Sequence, residues 1–377
     1  MGKQLAAATS SGNQSLSDAR RAKQDEFYTQ LGDISNEVKH YRVHLRGKTV
    51  LCNCDDPYES NFFKYFALNF NVLGLKRLIA TTYAGSAIVG GQLPLSDIEG
   101  LRPEARDPYS IEINHVPDHD TKGATDISDV NYLLRHDANI VRPLIGDNGY
   151  NGGDFRSNAC LEFMKVADIV ITNPPFSLFR EFVGQLVDHH KRFIVVGSKN
   201  AITYKEIFSR IRKNELWLGH GFSSGNAYFK VPLESMRQFA NGVYDPETGL
   251  VKFRNVGWFT NLDYEGRHEK LPLYKKYSSV EYPTYDNYDA IEVGKTAEIP
   301  VDYDGAMGVP TTFLDRHNPE QFEILGITDR DNNSGLKSKE YTSADAPNAG
   351  DLNRRAVVRV GAGLRSTYAR LLIRKIK

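Results

Sequence analysis

The stretch that most restricts what this chain can fold into is Ala167–Ser177, ADIVITNPPFS. Ile169 to Ile171 is a β-branched apolar run of the kind buried on both faces of a parallel sheet. Asn173-Pro174-Pro175-Phe176 then ends the strand, because two prolines cannot continue a ladder. In open α/β sheets ligands bind just beyond the carboxyl ends of strands, so Asn173 and Phe176 are presented where chemistry is usually done. Asn173 brings a side-chain carbonyl acceptor. The Pro174 carbonyl is a second, rigidly held one, and neither Pro174 nor Pro175 has an N–H to interfere. Two converging acceptors suit an –NH2 group that has to be held and made more nucleophilic, and Phe176 offers a flat face for a planar ring. The pocket predicted is one for an exocyclic amine on an aromatic base, or for an amide. The plainer alternative is a turn after a core strand, with Phe176 packed inside.

The rest of the chain supplies a sheet for this strand to sit in. Ile34, Val38, Tyr41 and Leu45 fall at helical spacing. Lys48–Cys54 reads as a short buried strand, ended by Asp55-Asp56-Pro57, and Ser60–Phe70 as a helix with Phe63, Phe66, Ala67 and Phe70 inward. Strand, acidic turn, helix is the opening of a Rossmann-like unit. Leu75–Thr82 is the next strand. Residues 85–152 are rich in Gly, Pro and Asp, with a strand-like Tyr109–Val116 and a helix-like Asp129–His136. That is long for a connection and reads as an insertion around the third strand. Helix Cys160–Val166 precedes the Asn-Pro-Pro-Phe strand. Helix Phe179–His190, strand Lys191–Gly197 and helix Tyr204–Lys213 follow it. Leu216–Leu218, Ala227–Val231 and Trp258–Leu262 read as the final strands. The fold class predicted is α/β, with a mixed, mostly parallel sheet and an antiparallel edge.

The Asn-Pro-Pro-Phe motif after an apolar strand resembles motif IV of the S-adenosylmethionine-dependent amino-methyltransferases. Asp25–Gln30 (DEFYTQ), Cys52–Phe63 (CNCDDPYESNFF), Gly153–Ser157 (GDFRS), Asn173–Arg180 (NPPFSLFR) and Asp302–Glu323 resemble the EcoRI-type adenine-N6 DNA methyltransferases. The likeness runs from about Asp25 to Leu325 and is weak in 85–152 and at the C-terminal end. It implies a Rossmann-like class I methyltransferase fold, S-adenosylmethionine as methyl donor and double-stranded DNA as partner. It implies that Asn173, Pro174, Pro175 and Phe176 form the catalytic pocket. It places Phe27, Tyr28 and Thr29 against the methionine end of the cofactor. Many methyltransferases have a glycine-rich turn after the first strand, whereas this chain has Asp-Pro-x-x-Ser-Asn. S-adenosylmethionine has no pyrophosphate to cradle. A carboxylate near its sulfonium or ammonium group is what electrostatics asks for, from Asp56 or else Asp55, beside Pro57. Asp154, with Phe155 after it, would accept from the cofactor's adenine amine, and an ordinary Asx-turn is the alternative there. Asn173 also borders the cofactor. The acid that usually binds the ribose after the second strand is replaced by Thr81-Thr82-Tyr83, so either a hydroxyl substitutes or the acid comes from elsewhere.

Charge sharpens the picture only locally. Lys and Arg number 47 and Asp and Glu 47, so no global field announces a polyanion. Leu352–Lys377, however, carries eight basic residues and no acidic one. Its Arg354, Arg355, Arg359 and Arg365 are expected to meet DNA phosphates. Base reading is expected from the Tyr/Lys-rich stretch after Leu262, with Tyr274, Tyr277, Tyr282, Tyr285, Tyr288 and Tyr303. The organisation predicted is an arm over 1–24, a catalytic domain over 25–262 and a target-recognition region over 263–377. Cys52, Cys54 and Cys160 are too few for a disulfide framework or a structural zinc site, so no metal is expected. No stretch is long and apolar enough for a membrane span, and a cytoplasmic, nucleoid-associated enzyme is expected. The oligomeric state is left open, a monomer being the simplest case. The expectation is a site-specific adenine-N6 DNA methyltransferase. An rRNA base methyltransferase, a protein glutamine methyltransferase and a silent nucleic-acid-binding protein are its rivals.

Overall fold

The computed structural model describes residues 28–54, 60–82, 108–118, 125–136, 141–147, 149–222, 226–230, 243–329, 332–361 and 363–377. The expected N-terminal arm, Phe27, the acidic turn Asp55-Asp56-Pro57 and much of 85–152 lie outside the described residues. The chain divides into two compact units. The first runs to Ser198 and takes back Phe222–Gly257, and the second comprises Lys199–Gly221 and Trp258–Lys377. The sequence reading divided the chain after residues 24 and 262, and the chain crosses between the two compact units three times.

The first unit is built on strands β1 (Thr49–Cys52), β2 (Arg77–Thr81), β3 (Tyr109–Ile113), β4 (Val141–Pro143), β5 (Ile169–Thr172) and β6 (Arg192–Ser198). They lie side by side in the order 4-3-2-1-5-6. β1 pairs in parallel with β2 and β5, and β5 in parallel with β6. β3 runs antiparallel to β2 and β4 antiparallel to β3. The sheet is therefore mixed with a parallel centre, as expected. Every residue of β1 and β5 is buried, which is why they read as unbroken apolar runs rather than alternating ones. The described pieces of the insertion include the expected strand, Tyr109–Ile113, and helix, Ile127–His136, and its strands extend the sheet's edge as β3 and β4.

Among the described residues, five helices of eight residues or more accompany these strands: α1 (Leu31–Val38), α2 (Asn61–Leu68), α3 (Ile127–His136), α4 (Asn158–Val166) and α5 (Phe179–Asp188). Ser60 starts α2, its Oγ accepting from the Phe62 N–H at 3.1 Å. Phe63, Phe66, Ala67 and Phe70 are all buried, as the spacing required. Each phenylalanine is worth about 2–3 kcal/mol of apolar burial. The fit between α5 and β6 depends on Gly197, where a Cβ would fall inside the Phe179 ring.

A second, antiparallel sheet in this unit runs in the order Tyr28–Thr29, Ala227–Lys230, Leu250–Phe253, Tyr244–Asp245. The sequence reading placed Ala227–Val231 among the final strands of the main fold. Its burial alternates instead, Ala227 and Phe229 in, Tyr228 and Lys230 out, as suits a sheet with one solvated face.

The second unit holds a four-stranded sheet in the order Ile291–Glu292, Met307–Pro310, Arg370–Lys375, Phe322–Ile327. A hairpin joins Val357–Val360 to Gly363–Ser366. Tyr285, Tyr288, Ala290, Ala356, Val358 and Leu372 pack together as a core. Gly308 is required beside it, since a Cβ there would strike the Tyr285 ring. No helix among the described residues is long and apolar enough to cross a membrane.

Candidate active site

The strand order reverses between β1 and β5, so the carboxyl ends of these two strands form the topological switch point where open α/β sheets take their ligands. Two asparagines stand there, Asn53 directly after β1 and Asn173 directly after β5. The ends are tied across the gap: the Thr172 hydroxyl donates to the Asn53 carbonyl. At the opposite end of the same strands the Thr49 N–H donates to Asp168 Oδ2 at 2.8 Å and the Asp168 N–H to the Thr49 carbonyl at 2.9 Å. Both ends of the β1–β5 pair are pinned, which fixes the register of the residues that follow.

Past β5 the chain runs through Asn173-Pro174-Pro175 without regular structure and enters a single 3-10 turn at Phe176–Leu178, closed by the Leu178 N–H on the Pro175 carbonyl at 3.0 Å. Asn173 and Phe176 are half-buried and Pro174 is buried. The Phe176 ring meets Phe229 edge-on, with centroids 6.4 Å apart. Phe229 is the direct cross-strand partner of Thr29. The strand Tyr28–Thr29 is thus carried to the Asn-Pro-Pro-Phe turn by the second sheet, a link that helical or strand periodicity alone did not reveal. Thr29 is held further by Asn61, the first residue of α2, whose Nδ2 donates to the Thr29 carbonyl at 2.7 Å.

Two side chains here are buried without hydrogen-bond partners. Asn53 is 1% exposed, and neither its Nδ2 nor its Oδ1 finds one. Thr29 is 2% exposed, and its Oγ1 is in the same position. Buried polar groups are nearly always satisfied, so each calls for an explanation. The sequence reading named Thr29 and passed over Asn53, although Asn53 stood inside the quoted CNCDDP motif. Orphaned donors and acceptors at a switch point fit a polar cofactor.

Asp154 sits in a loop that its own neighbours hold. A Cβ on Gly152 would overlap the Leu144 backbone, so the loop closes against β4's exit only as glycine. The Ser157 Oγ donates to the Gly152 carbonyl at 2.8 Å and accepts from the Cys160 N–H at 3.3 Å, capping α4. Asp147 accepts from the Asn158 N–H at 2.7 Å, and these backbone donors hold its carboxyl below the usual range. Asp154 is buried and already engaged. Its Oδ1 accepts from the Arg156 N–H and Nε, both at 2.9 Å, and its Oδ2 from Nη2 at 2.8 Å. The Asx-turn weighed as the alternative is present, reinforced by a two-pronged ion pair. That pair raises the Arg156 guanidinium pKa. Arg156 also reaches Glu181 at 3.2 Å and lies over the Tyr150 ring at 4.5 Å. Phe155 is packed edge-to-face on Phe182, centroids 5.1 Å apart, in the core. After β2, Thr82 spends its hydroxyl on the Tyr109 N–H at 2.9 Å. Burial pushes the nearby Cys160 thiol up, as befits an inert core cysteine.

The second unit places the expected DNA-contacting residues differently from a bare positive pole. Arg355 pairs with Asp329 at 2.6 Å and Arg359 with Asp286 at 2.6 Å. Arg370 pairs with Glu292 and Arg374 with Glu323, each at 2.6 Å. Arg354 and Arg365 are exposed. Of the six tyrosines of the recognition stretch, Tyr282, Tyr285 and Tyr288 are buried in the core, and Tyr274 is 82% exposed. Among the described residues no cluster of three or more His, Cys, Asp or Glu is placed to hold a metal ion.

Comparison with known proteins adds the following. The family described as adenine-specific methyltransferase EcoRI matches residues 15–376. The Type II methyltransferase M.EcoRI of Escherichia coli is 42% identical over 332 residues, covering 86% of this chain and 93% of that protein. The Type II methyltransferase M.MpnI of Mycoplasma pneumoniae is 35% identical over 320 residues, covering 81% and 83%. M.MgeORF184P of Mycoplasma genitalium is 33% identical over 321 residues, covering 81% and 84%. No solved structure matches the chain.

Proposed function

The chain belongs to the adenine-specific methyltransferase EcoRI family, and on that premise we propose that it transfers a methyl group from S-adenosylmethionine to N6 of adenine at a specific sequence in double-stranded DNA. Its setting is the modification half of a restriction–modification system, or a solitary or phage-borne counterpart. The observation that carries the reading is the position of Asn173-Pro174: directly after β5, at the switch point, on a strand end tied to Asn53.

S-adenosylmethionine supplies an electrophilic methyl group on a sulfonium sulfur. The chain's own part is to present the nitrogen. Adenine N6 is inside the duplex, so the base is flipped out at a cost of a few kcal/mol. Phe176 stacks on the extruded ring. Asn173 Oδ1 and the Pro174 carbonyl accept the two N6 hydrogens, which draws the nitrogen towards sp3 geometry and aims its lone pair. Most of the acceleration comes from orientation and proximity. By charge, Asp55 or Asp56 is the carboxylate suited to the cofactor's cationic groups. Asp154 acts by holding the loop before α4, with Arg156 as its partner, and any bond to the cofactor's adenine amine is one more than it already accepts.

Purified protein, labelled S-adenosylmethionine and plasmid DNA test the reading. Label is expected in N6-methyladenine within one sequence context, which single-molecule sequencing identifies. No transfer to DNA, with transfer to RNA of the same sequence, would move the activity to RNA.

A further inference from the structure

Ile145 is 81% exposed and follows β4 by two residues. β3 runs antiparallel to β2 and β4 antiparallel to β3, so β4 points the same way as β1 and β5. Ile145 therefore lies beyond the same edge of the sheet as Asn53 and Asn173. Among the described residues of the first unit, Val43 and Val72 are comparably exposed aliphatic side chains, and both sit before the amino ends of their strands, at the opposite edge. The backbone is fixed on either side of Ile145. The Leu144 N–H donates to the Pro108 carbonyl at 2.8 Å and the Asp147 N–H to the Tyr150 carbonyl at 3.0 Å. The Asp147 carboxylate is spent on the N–H groups of Gly149, Tyr150 and Asn158. Arg142 is exposed and its pairing with Glu112 is long, at 3.7 Å, so it offers a cation three residues before Ile145.

A branched aliphatic side chain held out in water adds nothing to the ligand-free fold. Ile145 is a single projection followed by the exposed Gly146, not a patch, so it is too small for a protein interface. It does match the isolated apolar wedges that proteins insert between base steps. The strand order sets β4 four strand spacings from β5, about 19 Å. A base turned out of the stack by about 180° lands well away from the gap it leaves, so pocket and gap call for separate contacts on one face. We propose that Ile145 enters the base stack where the target adenine has left it, keeps the gap open and delays the return of the base, while Arg142 meets a neighbouring phosphate. The inference rests on the methyltransferase reading and goes beyond it by naming the side chain that takes the adenine's place.

The test compares wild type with Ile145→Ala and Ile145→Leu on duplexes carrying the sequence that wild type methylates. One duplex has 2-aminopurine, whose fluorescence rises on unstacking, in place of the target adenine. Two others carry the adenine itself, either paired with thymine or opposite a mismatched base, which is cheaper to flip. Ile145→Ala is expected to lower the fluorescence rise and to slow single-turnover methylation of the paired duplex by about tenfold. The mismatched duplex should recover most of that rate, and Ile145→Leu should stay near wild type on both. The melting temperature and S-adenosylmethionine affinity, followed by circular dichroism and calorimetry, should not change, since the side chain is in solvent. Unchanged fluorescence and rate in Ile145→Ala, or an equal loss on the paired and mismatched duplexes, would overturn the wedge. A loss of S-adenosylmethionine affinity would put Ile145 on the cofactor instead. A wild-type protein that methylates no DNA would overturn the methyltransferase reading itself, an outcome distinct from these.

Discussion

Replacing Asp154 by Ala removes the acceptor for three Arg156 donors at 2.8–2.9 Å. The carboxylate side chain is 6% exposed and the guanidinium 24%. Removing one partner of a buried pair costs about 3–5 kcal/mol. Arg156 keeps Glu181 and some water, so the low end, about 3 kcal/mol, applies to Asp154→Ala. Arg156→Ala leaves the more deeply buried carboxylate with one backbone donor, the residue 156 N–H, and about the same loss is expected. Because the two side chains act through one another, the double variant should cost about 4 kcal/mol rather than the additive 6 or so, a coupling of about 2 kcal/mol. Urea unfolding followed by far-UV circular dichroism is the suitable assay. Trp217 and Trp258, the chain's tryptophans, both belong to the second unit, so fluorescence would watch the wrong half. Cofactor titration of the same variants separates the two roles considered for Asp154. If it only braces the loop, both single variants weaken binding alike. If it touches the ligand, Asp154→Ala weakens binding more. Additive stability losses would refute the bracing argument.

Asn173→Ala should lower turnover by orders of magnitude while S-adenosylmethionine affinity stays near wild type; a single-turnover rate close to wild type would remove Asn173 from the reaction. His317 is half-buried, its ring N–H donates to the Phe322 carbonyl at 2.9 Å, and desolvation holds its pKa down at about 4 against an ordinary 6.5. The fold therefore favours the neutral ring: its contribution is complete above about pH 6.5 and is lost as pH falls towards 4, by up to about 3 kcal/mol. His317→Gln should flatten the acid limb of the stability profile measured by tryptophan fluorescence, and an unaltered limb would refute the assignment. Neutralising the exposed Arg354 and Arg365 should reduce the slope of log DNA affinity against log salt by about one unit per lost phosphate contact, at unchanged stability. Arg355→Gln and Arg359→Gln should instead show a stability loss, since each breaks an ion pair with Asp329 or Asp286.

What the sequence disclosed follows from how local each signal is. The centre of the sheet was legible because β1 and β5 are buried on both faces and their ends are punctuated within a few residues, by Asp-Asp-Pro and by Asn-Pro-Pro. The partner of Asp154 is two residues away, yet the GDFRS motif does not disclose it, since an aspartate in a glycine-led loop suits a ligand contact as well as an internal pair. Asn53 was passed over for a different reason. A residue type says nothing of whether its hydrogen bonds are filled, and that question needs the whole neighbourhood. The strand Ala227–Lys230 was recognised as a strand and assigned to the wrong sheet. Its cross-strand partners decide where it belongs, Leu250–Phe253 on one side and Tyr28 and Thr29 on the other, and the latter two are distant in sequence.

The C-terminal unit shows where counting charges fails as a method. Eight basic residues without an acid describe a segment, not a surface. Once folded, Arg355, Arg359, Arg370 and Arg374 meet Asp329, Asp286, Glu292 and Glu323, each contributed by another stretch of the chain. Lys339 and Tyr341 join Arg359 on Asp286 and hold its carboxyl down at about 2, so this acid stays charged across the physiological range. The arginines of the hairpin are thereby positioned as much as they are neutralised. Arg359 has a side chain 64% exposed even while paired, and Arg365, on the neighbouring strand, is exposed as well. A phosphate approaching the hairpin would compete with Asp286 for Arg359 but would find Arg365 uncommitted. Removal of Arg365 should therefore change the salt slope more than removal of Arg359, whose affinity for phosphate is discounted by the ion pair it has to leave.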